Sequence, residues 1–210
     1  MRTDEQFVKP QDVRKGACDM RNSRGFSLLE MVAVISIILI LSGIGFMSLQ
    51  PALKGQRVTN AFNTTLTTLR QARERTIEER RTYFVTFTAP RTITVTQGDT
   101  GTVMSTVTLP TDISFTTQTG FPSPGPDGFG TGVNMFDLDI NVAGGNGNPI
   151  YFYPDGSGRD LNGTVNNGVV YLARPGEMTS SRAISMWGAT GRLKGWRLQQ
   201  TASTYVWGQQ

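Results

Sequence analysis

The sequence predicts an α+β fold in which one long N-terminal helix packs on an antiparallel β-sheet domain, and three features predict it. Apolar residues run without a charge from Met31 to Leu49, a helical stripe follows from Pro51 to Arg81, and beyond Arg81 the apolar period falls from 3.6 to 2. Helix and strands are thus segregated along the chain, the pattern of a helix laid on one face of a sheet. Composition agrees: of 210 residues 24 are Gly, 10 are Pro and only 17% are charged, which suits a loop-rich β domain better than a helical bundle. About 160 residues follow the apolar run, enough for one core rather than two.

The first half of the helix is long enough to span a membrane. From Met31 to Leu49 it would extend about 28 Å, close to the ~30 Å of a bilayer's hydrocarbon. No second run of this kind occurs, so the chain would cross once. Arg21 and Arg24 stand just before it, which places that end in the cytoplasm and the following domain outside. A removed signal peptide fits poorly, because the run exceeds the usual 7 to 15 residues, Glu30 opens it, and no small-residue cleavage site follows before Pro51. A plain signal anchor explains the run but neither Glu30 nor the Gly25-Phe26 junction. An acid at the centre of a bilayer helix costs about 2.5 to 3.5 kcal/mol, and less toward the ends, so one placed there is expected to have a partner.

After Pro51 the helix continues with Val58, Phe62, Leu66, Leu69, Ala72 and Ile77 on one face and Arg70, Arg73, Glu74, Arg75 and Glu78 on the other. Pro51 and Gly55 allow a bend between the two halves. "TYFVTFTAP", "RTITVTQ" and "TVMSTVTLP" then alternate as strands, and the Gly/Pro cluster from Gly120 to Gly132 is a loop. "PIYFYPDGSG", "GVVYLA", "RAISMWG", "RLKGWRL" and "TYVWG" supply the remaining runs, giving roughly eight strands.

Several chemistries are excluded or disfavoured. The chain has no His, which removes the commonest general base and metal ligand, and its Ser residues lack a Ser-x-x-Lys arrangement. Its one cysteine, Cys18, precedes the apolar run, so the domain has no internal disulfide. Asp155, Ser157 and Asp160 resemble calcium ligands, but Arg159 intrudes and Pro-Asp-Gly is itself a turn signal. Asp137 and Asp139 share a strand face without a third acid, and Gly144 to Pro149 lacks the Lys-Ser/Thr ending of a phosphate loop. No catalytic residue, cofactor or metal is expected. The charge of +4 is shared evenly between the first 25 residues and the rest, so its placement matters more than its size. Arg174, Arg182, Arg192, Lys194 and Arg197 cluster with Trp187 and Trp196 against the single acid Glu177, a mixture able to neutralise phosphates and stack bases. Buried tryptophans in strands with solvated basic neighbours are the simpler explanation.

Arg24-Gly25-Phe26-Ser27-Leu28-Leu29-Glu30 resembles the processing signal of type IV prepilins and type II secretion pseudopilins: a basic leader ending in Gly, then Phe, then Glu at the fifth position after the cut. The resemblance implies cleavage between Gly25 and Phe26 by a prepilin peptidase and methylation of the new amino group of Phe26. It also gives Glu30 a partner, the terminal amine of a neighbouring subunit in the filament. The chain then divides into a leader (1–25, with Met20 as an alternative start), a transmembrane and filament-core helix (26–49), an amphipathic helix (50–81) and a β-rich periplasmic domain (82–210). "YFYPDGSG", "GVVYLA" and "RAISMWGATGRLK" are similar to the GspH/FimT group, which includes H-type pseudopilins and FimT/FimU minor pilins. That likeness implies a minor, non-enzymatic subunit of a type II secretion pseudopilus or a type IV pilus, anchored in the inner membrane and assembled with other pilins or pseudopilins. Some FimT-like pilins take up DNA through a Gly-Arg-x-Arg turn. Here Gly191-Arg192-Leu193-Lys194 stands in its place, with Arg182 and Arg197 as further candidate DNA contacts. The Lys keeps the charge but not the planar fork.

Overall fold

The structure is a computed structural model that describes residues 25–138, 149–160 and 162–210. Cys18, Met20, Arg21 and Arg24, the acid Asp139, and residues 144–148 of the glycine-rich loop lie outside the described residues. One helix, α1 (Leu28–Glu79), runs from the first described turn to the sheets. The chain divides into two compact units, residues 1–47 and 48–210.

In the first unit α1 begins with the Met31 amide donating to the Ser27 carbonyl at 3.1 Å. Every large apolar side chain from Phe26 to Phe46 is exposed. Leu28 to Phe46 is a 19-residue stretch long and apolar enough to cross a membrane. In water such a surface is costly, so it calls for lipid or for other apolar helices.

In the second unit α1 is followed by eleven strands among the described residues: β1 (Tyr83–Thr88), β2 (Thr92–Gln97), β3 (Val103–Thr108), β4 (Ser114–Phe115), β5 (Phe136–Leu138), β6 (Ile150–Phe152), β7 (Gly158–Arg159), β8 (Gly168–Ala173), β9 (Arg182–Trp187), β10 (Arg192–Thr201) and β11 (Thr204–Gln209). They form two antiparallel sheets, ordered β3-β2-β1-β6-β7 and β11-β10-β9-β8-β4, with β5 also on β8. One core joins the helix to both: Val58, Ala61, Phe62, Leu69 and Ala72 meet Val85, Phe87 and Ile93 of the first sheet and Val170, Leu172, Ile184 and Met186 of the second.

Three details differ from the sequence reading. The eight expected strands become eleven among the described residues because β4, β5 and β7 are only two or three residues long, too short to show a period. The helix stripe is completed by threonines: Thr65, Thr68 and Thr76 are buried, each donating its hydroxyl to the carbonyl four residues back and leaving its methyl for the core. Ile77, expected in the stripe, is 41% exposed and lies over the turn at Gly156.

A further difference concerns the Gly/Pro segment. All six residues of β8 are buried, which a sheet covered on one face cannot achieve. The segment from Thr116 to Met135 covers the other face. Phe121 packs on Tyr171 and Trp207 at ring distances of 5.4 and 5.3 Å, and the Met135 carbonyl accepts from the Tyr171 amide. The loop is therefore a third layer with a small core of its own, built on Val169, Tyr171 and Ala183.

Candidate functional site

The two places to which the sequence assigns function are the start of α1 and the β9–β10 hairpin. At the first, Gly25 has no atom of the described residues within 4 Å of the position where a side chain would begin. The fold therefore makes no demand for glycine there. Phe26 is exposed, and Glu30 lies in the first turn of α1, where unpaired amides favour a negative charge. Among the described residues no cation pairs with it.

The hairpin separates the four candidate DNA contacts into two pairs. Arg192 and Lys194 begin β10, whereas Arg182 and Arg197 sit directly opposite each other near the far end of the β9–β10 pairing. Five residues of strand, about 17 Å, separate Arg192 from Arg197. Arg192 is exposed and lines a cleft of about 430 Å³ with Arg70, Arg73, Glu74, Thr190, Gly191 and Leu193. Arg73 holds this cleft together, donating from Nε to the Gly156 carbonyl at 3.1 Å and from Nη2 to the Thr190 carbonyl at 2.9 Å. Gly191 has φ +59°, and a Cβ there would lie 2.0 Å from the Gly156 carbonyl. The Asp-Gly turn and the Gly-Arg turn, recognised separately in the sequence, are thus docked on each other and on α1.

The other two candidates need correction as exposed contacts. Lys194 is paired with Asp127 at 2.6 Å, and both side chains are largely buried. The other Asp127 oxygen accepts from the Ser185 hydroxyl at 2.6 Å and the Trp187 indole at 3.2 Å. Burial alone would raise the Asp127 carboxyl, but the hydrogen bonds from Lys194, Ser185 and Trp187 outweigh it and hold the group below the usual carboxylate range. Lys194 therefore fastens the covering loop to β10. Arg182 is only 5% exposed and gives Nη1 to the carbonyls of Thr179, Ser180 and Ser181. Burial, and then the charge of Arg197, push its guanidinium down to about 10. Arg197 itself is exposed.

The acids weighed as metal ligands are bound within the chain. Asp155 accepts from the Ser157 hydroxyl and amide and from Arg159, and is held down to about 2, first by Ser157 and then by Arg159. Asp160 accepts from the amides of Asn162 and Thr164, and Asp137 from Thr131. Asp155 and Asp160 are engaged in turns, whereas Asp137 lies in β5 and is bound by Thr131; no acid cluster suited to a metal occurs among the described residues. Sequence reasoning missed Arg73 and Asp127. For Asp127 there was a signal: it is the only acid between Ile113 and Phe136, a stretch otherwise without charge, in a chain whose last strands are basic.

Comparison with known proteins adds to this geometry. A family model described as the prokaryotic N-terminal methylation motif matches residues 20–46, the segment that contains Gly25, Phe26 and Glu30. The chain thus joins this methylation motif to a long helix and an antiparallel sheet domain, an arrangement similar to that of type IV pilins. Among solved structures, the type IV minor pilin FimU of Pseudomonas aeruginosa is similar at 10% identity and a TM-score of 0.43, covering 72% of this chain and 93% of that one, a likeness too low to argue from. No curated protein matches the chain. The motif implies processing by a prepilin peptidase and assembly with other pilins.

Proposed function

We propose that this chain is a minor, non-enzymatic subunit of a type II secretion pseudopilus or a type IV pilus. The observation that carries the reading is the match of the methylation motif to a segment whose apolar helix is wholly exposed and begins with an exposed Glu30. The leader, residues 1–25, is removed between Gly25 and Phe26, and Phe26 is methylated. The helix to residue 49 then spans the inner membrane, with the N-terminus cytoplasmic and the domain periplasmic, until the subunit enters a filament. There Glu30 pairs with a neighbour's terminal amine, since neither charge is stable alone among apolar helices. Because a side chain at Gly25 meets nothing, Gly25→Val leaves the fold intact and isolates the processing step. In cells with a prepilin peptidase the wild-type chain loses its leader and the variant keeps it. Loss of the leader from both, or from neither, overturns the reading.

A second reading, DNA uptake, is favoured by the cleft in which exposed Arg192 stands beside Arg70 and Arg73. It loses support from Lys194, which is paired with Asp127, and from Arg182 and Arg197, which lie about 17 Å along the hairpin from Arg192. Titrating the full chain with duplex DNA over a salt series tests it: Arg192→Gln would weaken binding uniformly across sequences and lower the salt slope by about one unit. No binding at low salt removes this reading.

A further inference from the structure

We infer that the end of the second sheet where β8 runs out and β9 begins is a docking face for anionic phospholipid headgroups. This rests on the reading of Leu28 to Phe46 as a membrane span. Strand registers place the basic residues: Leu172 opposes Arg182 and Arg182 opposes Arg197, while Arg174 follows β8 by one residue. The Arg174 guanidinium reaches the Lys54 carbonyl at 3.4 Å, Asp112 at 2.6 Å and Glu177 at 3.0 Å, and Arg57 lies 3.6 Å from Asp112. Lys54, Arg57, Arg174, Arg182 and Arg197 are thus gathered at one end with two carboxylates, of which Glu177 pairs with Arg174 and Asp112 pairs with Arg57 and Arg174 through Oδ2.

Lys54, Arg182 and Arg197 have no acidic partner among the described residues. Arg182 is the telling member of this group. It is buried, its Nε hydrogen has no acceptor, and a second arginine stands directly across the strand pair. Like charges directly opposite destabilise a sheet, and a buried donor without a partner is costly. An anion at this end offsets both penalties. The chain cannot supply it locally, because no Asp or Glu occurs from Met178 to Gln210.

A bilayer surface supplies that anion. Lys54 follows Phe46 by eight residues, at most about 28 Å of extended chain, so headgroup phosphates are close whenever the apolar run is inserted. Beyond Arg197 the β10–β11 hairpin continues without an acid through Gln199, Gln200 and Thr204 to half-buried Tyr205 and exposed Val206. Cations beside an uncharged hairpin that carries an aromatic suit a membrane surface.

The experiment is amide hydrogen exchange of the full chain in nanodiscs of phosphatidylcholine alone and of phosphatidylcholine with one-third phosphatidylglycerol. Exchange in residues 197–206 slows at least about fivefold in the anionic discs, and high salt removes the difference. Lys54→Gln with Arg197→Gln removes it too, without disturbing the fold, because both residues are exposed. Equal exchange in the two lipids overturns the proposal while leaving the span intact. Protection that arises only on adding DNA or a second pilin-like subunit also overturns it and gives the face to that partner. A chain that enters neither disc overturns the span as well.

Discussion

Gly195 shows how one residue can fix the packing of a helix on a sheet. It sits in the middle of β10, and a Cβ there would lie 2.4 Å from the ring of Phe62 on α1. The strand gives up a side chain so that the helix can deliver an aromatic one. Gly195→Ala is expected to cost about 1 to 3 kcal/mol in denaturant unfolding. The loss should shrink when Phe62→Leu is added, and a double-mutant cycle without coupling would show that this contact does not set the penalty. Asp127 and Arg192 make a contrasting pair in the same hairpin region. Removing Asp127 strands the largely buried Lys194, so Asp127→Ala should cost about 3 kcal/mol, whereas Arg192→Ala at an exposed position should stay within ~0.5 kcal/mol. Asp155 gives an acid-dependent contribution. Its folded pKa of about 2 lies below the ordinary 3.8, so its stabilisation is complete above pH 4 and is lost as pH falls toward 2. Asp155→Asn should therefore flatten the fall of the thermal midpoint across that window, and an unchanged slope would contradict the assignment.

At the scale of elements, α1 does two different jobs with two different surfaces. In the second unit its buried stripe of Val58, Ala61, Phe62, Thr65, Leu69, Ala72 and Thr76 belongs to the domain's own core. In the first unit its large apolar side chains are exposed among the described residues. Glu30 belongs to that unit and is not part of the domain's core, so Glu30→Ala should leave domain stability unchanged and insertion slightly easier. Under the filament reading the variant should nevertheless assemble poorly, which pull-down of partner subunits or filament counts would reveal; normal incorporation would mean that Glu30 has another task. The covering segment is the other informative element. Its Gly and Pro content marks a loop, yet Phe121 and Asp127 anchor it at two points, on the aromatics of β8 and β11 and on Lys194. Phe121→Ala is expected to cost about 2 kcal/mol, less than a fully buried Phe, and to change tryptophan fluorescence through Trp207.

For the whole molecule, layering explains why the second sheet is so deeply buried. It carries α1 on one face and the Thr116–Met135 segment on the other, so β8 has no solvent side. The two sheets share the helix, and Arg73 joins their turns by bonding to Gly156 beside β7 and to Thr190 in the β9–β10 turn. Charge is distributed unevenly over this frame. The last 33 residues have no acid, and the domain leaves cations both at the Arg192 cleft and at the Arg182 and Arg197 end. These two regions lie at opposite ends of one hairpin, so a reagent that competes at one need not affect the other.

The sequence by itself determined the order of elements, the apolar run with its acid, and the positions of the two glycine turns. These are local properties: hydrophobic period, a charge at a fixed offset, and residues that tolerate special backbone angles. Only the tertiary structure decided which basic residues are free. Lys194 and Arg192 are two positions apart and look alike in the sequence, but a loop 67 residues upstream of Lys194 delivers Asp127 to one and leaves the other in solvent. Arg182 looks as exposed as Arg197 until the register sets it beneath the carbonyls of Thr179 to Ser181. Burial and ion pairing depend on which distant segments meet, and no local pattern carries that information.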